Sequence, residues 1–101
     1  MSHRWVRDIS SLYDFIGYVV VSAPDRFPHE DYLAEADQMN LTKAFVELSH
    51  GVELVIADEP SPSRRQELQA VLAESLAFYR AGNDVLGAHR VQDFQNLIFK
   101  E

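Results

Sequence analysis

The sequence predicts an all-α fold: a small antiparallel four-helix bundle, with a short fifth helix near 28–37 as an open addition. Three observations lead there. Apolar residues recur at three- and four-residue steps in several separate runs, the period of a helix with one buried face. Tight punctuation separates the later runs: two prolines fall between Asp58 and Ser63, and Gly82, Asn83 and Asp84 turn the chain at once. No β-hairpin signal, internal repeat or low-complexity tract breaks the pattern. At 101 residues the chain falls in the range of a single helical domain, 1–101.

The first helix is expected from Ser2 or Arg7 to Ser22, with Trp5, Ile9, Leu12, Ile16 and Val19 or Val20 on one face. The run Gly17 to Pro24 pulls the other way, because consecutive valines suit a strand, and residues 16–21 carry that ambiguity. The helical period spans more residues than the valine run, so helix is the reading. Pro24 stops it, since the residue before a proline avoids the α region. A loop with two prolines follows. Pro28 suits a first helical turn, Glu30 and Asp31 complement its positive end, and Tyr32, Leu33 and Ala36 would form the apolar face of the short fifth helix.

Asn40 is the expected cap of the next helix, with Thr42 as its rival. Leu41, Ala44, Phe45, Leu48, Val52 and Val55 form the clearest stripe in the chain, ending near Ala57. Gly51 interrupts it, which marks either a weaker helix or close packing against a neighbour. Ser63 is the expected cap of the third helix, whose face is Leu68, Val71 or Leu72, Ser75 or Leu76, and Tyr79. Arg80 suits its negative end and Gly82 supplies a left-handed stop. Asn83 or Asp84 then caps a last helix with Leu86, Val91, Phe94, Leu97 and Ile98 as its apolar residues.

Composition narrows the function classes. The chain has no cysteine, so disulfides and thiolate metal sites are excluded. The run Phe15 to Val21 is far too short to span a bilayer, and no signal peptide is read at the N-terminus; the cytoplasm is the expected compartment. The net charge is −7. Between Asp25 and Glu59 nine acids meet only Arg26 and Lys43, so that stretch carries the whole net charge while the remainder balances. A field of one sign steers a basic partner and disfavours a phosphate backbone, so nucleic acid is not an expected ligand. The plainer role of such acidity is solubility.

The chemical motifs are sparse. Glu47 and His50 have the Glu-x-x-His spacing of carboxylate-bridged metal sites in helix bundles. Such a centre needs a second pair and two further glutamates, yet Leu86 stands three before His89 and Arg26 three before His29. The motif is a lone half, flanking the apolar stripe, and is read as the acidic outer edge of a helix. His89 and Asp93 are four apart, which allows a base oriented by a carboxylate or an ordinary helix side-chain pair. No serine sits in a nucleophile elbow, and there is no phosphate-binding glycine loop. The adjacent Arg64 and Arg65 are read as solvated. The sequence therefore nominates no catalytic residue, no metal and no cofactor.

Eleven aromatic residues are many for this length. Trp5, Phe15, Tyr18, Phe27, Tyr32, Phe78 and Phe99 do not all fit one stripe per helix. Either loops and chain ends fold over them or they form a patch for self-association. The first functional expectation is a small acidic protein-binding module that regulates or neutralises a basic protein partner. Its candidate contact residues are Glu30, Asp31, Glu35, Asp37, Glu47, Glu53, Phe78 and Phe99. In size and charge the chain resembles bacterial immunity proteins and antitoxins, an analogy of composition with no motif behind it. The alternatives are a structural homodimer with no ligand and a metal- or His-dependent enzyme.

Overall fold

The computed structural model describes residues 5–99, which form four helices and no strand. They are α1 (Ile9–Ser22), α2 (Leu41–Asp58), α3 (Pro62–Arg80) and α4 (Asp84–Phe99), with a single 3₁₀ turn at Glu35–Asp37. The fold is the expected small all-α bundle.

Each helix starts on a residue that can satisfy orphan N–H groups. Asp8 caps α1 by accepting from Ser11 N at 2.7 Å, and Ser11 Oγ accepts in return from Asp8 N at 3.0 Å, closing a capping box. Asn40 caps α2 through Lys43 N at 2.9 Å, as its position suggested. The cap of α3 is Ser61 with Pro62 in the first turn, not the expected Ser63. Proline has no N–H to satisfy, so the helix starts two residues earlier than a serine count would place it. Asn83 precedes α4, and its carbonyl accepts from Gly87 N at 3.0 Å. Gly82 has φ +82° and ends α3 as its position suggested. Gly82 N donates to Tyr79 O and Asn83 N to Phe78 O, the paired bonds of a Schellman stop.

Residues 16–21 are helical, so the valine run is no strand. Ile16 and Val19 are fully buried, and that burial outweighs β-propensity. Trp5 does not belong to the α1 face. Residues 5–7 are non-helical and double back, so that Trp5 stacks on Tyr18 with ring centroids 5.5 Å apart. A start at Ser2 lies outside the described residues. The stripe on α2 is buried as its spacing required, with Leu41 half-buried at its start. Gly51 marks close packing: a Cβ there would lie 2.4 Å from Leu12 Cδ1. On α4 the expected Leu86 is exposed, and Gly87 faces the core against Tyr79 instead.

Pairs between helices give the topology. Ser49 bonds Gln69 and Glu53 pairs with Arg65, so α2 and α3 run antiparallel. Ser75 Oγ donates to Gly87 O at 2.7 Å while Arg64 reaches Leu97 O, so α3 and α4 do too. Leu12 meets Gly51, and Ile9 shares a hollow with Val55, which sets α1 antiparallel to α2. Tyr13 meets Phe99 edge-on at 4.9 Å, and α1 closes the ring against α4. The result is an up-down-up-down bundle around one contiguous core. Val6 from the N-terminal arm and Met39 from the long connection complete that core.

Residues 23–40 join α1 to α2 without the expected helix at 28–37; the 3₁₀ turn is its only helical part. Tyr32, placed by its spacing on a buried face, is 71% exposed.

Candidate protein-interaction surface

The connection 23–40 is long for a loop in a compact domain, and loops of that length are mostly functional or disordered. This one is held. Gln38 makes a three-way clamp: its Oε1 accepts from Glu30 N at 2.9 Å, and its Nε2 donates to Glu30 O at 2.8 Å and Leu33 O at 2.9 Å. Lys43 Nζ donates to the carbonyls of Ala36 and Gln38, fastening the end of the loop to the first turn of α2. Phe27 packs on Tyr18 at 5.6 Å between centroids and ties the start of the loop to α1. Neither Gln38 nor Lys43 was singled out by the sequence. A glutamine beside a break, followed by a lysine in a first turn, where the helix dipole disfavours it, was the available signal.

The clamped loop displays charge. It carries Asp25, Glu30, Asp31, Glu35 and Asp37 against Arg26 alone, a net of −4. Asp31 and Glu35 are almost wholly exposed, and His29 lies between them, 3.6 Å from Asp31 Oδ1 and 3.2 Å from Glu35 Oε1. Glu30 and Asp37 are half-buried. Burial pushes the Tyr18 hydroxyl above its ordinary pKa, and the nearby Glu30 and Tyr32 add to that effect. The Lys43 ammonium is directed at backbone carbonyls of the loop, while the side chain that meets the Asp31 and Glu35 carboxylates is His29.

The acids of α2 behave differently. Glu53 pairs with Arg65 at 3.0 Å, and Glu59 with Arg64 at 3.3 Å. Glu47, expected on the acidic outer edge, is only 7% exposed. Its Oε1 accepts from Trp5 N and Val6 N, both at 2.9 Å. It anchors the N-terminal arm and cannot serve as a rim contact. The reason is one of angle: position 47 borders the apolar stripe, and the returning arm covers that border. His50 is half-buried three residues on. Among the described residues no three His, Asp or Glu side chains gather as metal ligands would. On α4, Asp93 Oδ2 accepts from Arg90 at 2.8 Å, and Arg90 also meets Glu74 at 2.9 Å; His89 is exposed beside them.

The surplus aromatics divide. Trp5, Phe15, Tyr18 and Phe27 form one continuous ring cluster within the chain, built from the arm, α1 and the loop. Four of the seven rings in question are thus covered by chain end and loop. Phe78 and Phe99 are half-buried and sit towards opposite ends of the bundle. Phe78 lines an outer hollow of about 410 Å³ with Leu86, His89 and Arg90. Phe99 lines a hollow of about 510 Å³ with Ile9, Val55 and Arg64. They do not form one patch. Tyr32, next to Asp31 in the acidic loop, is an exposed ring that sequence spacing had hidden. No helix among the described residues is long and apolar enough to cross a membrane. No protein-family model, curated protein or solved structure matches this chain.

Proposed function

We propose that this chain is a non-enzymatic protein-binding module whose loop 25–37 receives a basic surface of a partner protein. The observation that carries the reading is the pinned loop itself. It concentrates a net of −4, with Asp31 and Glu35 exposed on either side of His29 and with Tyr32, the residue after Asp31, also exposed. Exposed carboxylates of one sign raise the encounter rate with a cationic surface, and an amphipathic ring supplies contact area once the partners meet. The clamps of Gln38 and Lys43 favour this use, because a pre-ordered loop loses less entropy on binding. A cysteine-free chain suits a reducing compartment, and the cytoplasm is the proposed setting.

The test is affinity capture from host lysate with the wild type and with the double variant Asp31→Lys, Glu35→Lys. Glu30 is better left alone, since it is half-buried and Gln38 clamps its backbone. A basic protein retained by the wild type at low salt and lost with the double variant supports the reading. Equal retention by both proteins removes the loop from it.

Self-association is a second reading, favoured by the 41% exposed Leu86, which lines the same hollow as Phe78, and by the adjacent, 67% exposed Val85. Light scattering at micromolar concentration should then give a dimer mass that Leu86→Lys abolishes. A monomer mass for the wild type at every concentration sets this reading aside.

A further inference from the structure

Glu47 is a buried carboxylate that the docking loop does not display, yet it is connected to that loop through the aromatic cluster. Its Oε1 accepts the consecutive N–H groups of Trp5 and Val6. The next two N–H groups, of Arg7 and Asp8, go to Ser11 Oγ at 2.8 and 3.0 Å. The arm is thus fastened to the bundle by side-chain acceptors on α2 and α1. Fixing its backbone sets the indole of Trp5, which stacks on Tyr18 at an interplanar angle of 21°. Tyr18 in turn packs on Phe27, the first aromatic side chain of the acidic loop. Ring pairs at 5–6 Å between centroids are in favourable contact, and each restricts its neighbour.

We propose that Glu47 is a positioning residue for the acidic loop: through the arm, Trp5 and Tyr18, its carboxylate controls how firmly residues 27–33 are held. The arm and the loop then behave as one cooperative unit that opens while the four helices stay folded, as local units of low stability do. Opening releases Phe27 from Tyr18 and loosens the display of Asp31 and Glu35. Binding of a partner to the ordered loop tightens the arm by the same factor, because coupling between two sites is reciprocal. The functional meaning rests on the docking reading above, but the coupling itself is measurable without any partner.

The experiment is amide hydrogen exchange by NMR on wild type, Glu47→Ala and Glu47→Gln, with emission from Trp5, the sole tryptophan, as a second signal. The loop reporters are the Glu30 amide, which donates to Gln38, and the Leu33 amide, which donates to Glu30 O. Leu72 in the middle of α3 is the internal reference. In Glu47→Ala the two loop amides should exchange roughly 5- to 100-fold faster relative to Leu72, the usual span of a coupling between sites. Trp5 emission should move to the red with helical circular dichroism unchanged. Glu47→Gln keeps a neutral acceptor and should fall in between. A red shift of Trp5 with unchanged loop rates overturns the proposal, because the arm then moves alone. Equal acceleration of Leu72 and the loop amides also overturns it, reducing Glu47 to a contributor to global stability. Should Glu47→Ala fail to fold, Trp5→Ala leaves the carboxylate in place and takes the indole away from Tyr18 and Phe15; unchanged Glu30 and Leu33 rates there are equally fatal. A failed docking reading shows up elsewhere, as a partner indifferent to Asp31→Lys and Glu35→Lys.

Discussion

Replacing Gly87 by alanine tests how tightly α3 and α4 are locked. Gly87 is buried, and a Cβ added there would lie 2.8 Å from Tyr79 Cδ2 and 2.9 Å from both Cε2 and Cγ. These are atoms of a ring, not the tip of a flexible chain. Tyr79 is itself buried and packs on Phe45, which is also buried, so it has little room to retreat. Nor can α4 move away freely, because Gly87 O accepts from the buried Ser75 Oγ at 2.7 Å. Two opposing effects decide the sign. Alanine in place of glycine inside a helix gains up to ~1 kcal/mol. Overpacking a filled site costs about 1–3 kcal/mol, and stretching the Ser75 bond adds roughly 1 kcal/mol. The net expectation is a loss of about 1–3 kcal/mol. For a domain this size that lowers Tm by roughly 4–24 °C. Urea melts followed by far-UV circular dichroism read the difference. Gly17→Ala is the control: Gly17 lies exposed within α1, and a Cβ added there would meet nothing within 4 Å, so the same exchange should raise stability by up to ~1 kcal/mol. A Gly87→Ala protein as stable as the wild type would refute the reasoning.

The hydroxyls of Tyr18 and Tyr79 are buried and have no hydrogen-bond partner among the described residues. Tyr79→Phe should therefore leave stability unchanged or raise it by about 1 kcal/mol, and a clear loss in urea melts would count against the packing. Burial holds both phenol pKa values above the ordinary 10.0, with Glu30 and Tyr32 contributing at Tyr18 and Asp84 at Tyr79. The folded state keeps these protons longer than the unfolded chain, so the associated stability is complete below pH 10 and is lost as pH rises through the folded values; melts taken in steps above pH 10 should show the loss. The bonds from the Ser11 backbone and then its side chain hold Asp8 below its ordinary 3.8, so its contribution is present above that pH and fades on acidification; Asp8→Asn should flatten that part of the acid limb.

Much of the fold was legible because helical period and turn chemistry agree along most of the chain. The α2 stripe shows this best: Ala44, Phe45, Leu48, Val52 and Val55 are all buried, and Asn40 caps them. Capping by Ser61 was obscured because two serines flank Pro62, and only the proline's lack of an N–H separates them. The arm was not legible. Trp5 sits in phase with the α1 stripe, but the Asp8 cap starts the helix at Ile9, and contacts with Glu47, Tyr18 and Phe15 hold Trp5 against the bundle instead. The same tertiary event buries Glu47, whose position beside the stripe looks like an outer edge in sequence. In the loop, local acid placement at Glu30 and Asp31 favoured a helix, but the clamp from Gln38 holds Glu30 and Leu33 in another conformation. The acidity of the candidate surface was plain from composition. Its division into exposed loop acids and paired or buried α2 acids depends on which side chains meet in space.

The association rate as a function of salt tests the central claim most directly. With a captured partner purified, the rate is measured by stopped flow for the wild type and for Asp31→Lys with Glu35→Lys. Exposed charges are screened beyond roughly 8 Å at physiological ionic strength, so the wild-type rate should fall steeply as salt rises through that range. The double variant takes the loop from a net of −4 to neutral. It should associate about tenfold more slowly at low salt and show little salt dependence, while dissociation changes less. Identical association rates and salt slopes for the two proteins would contradict the account.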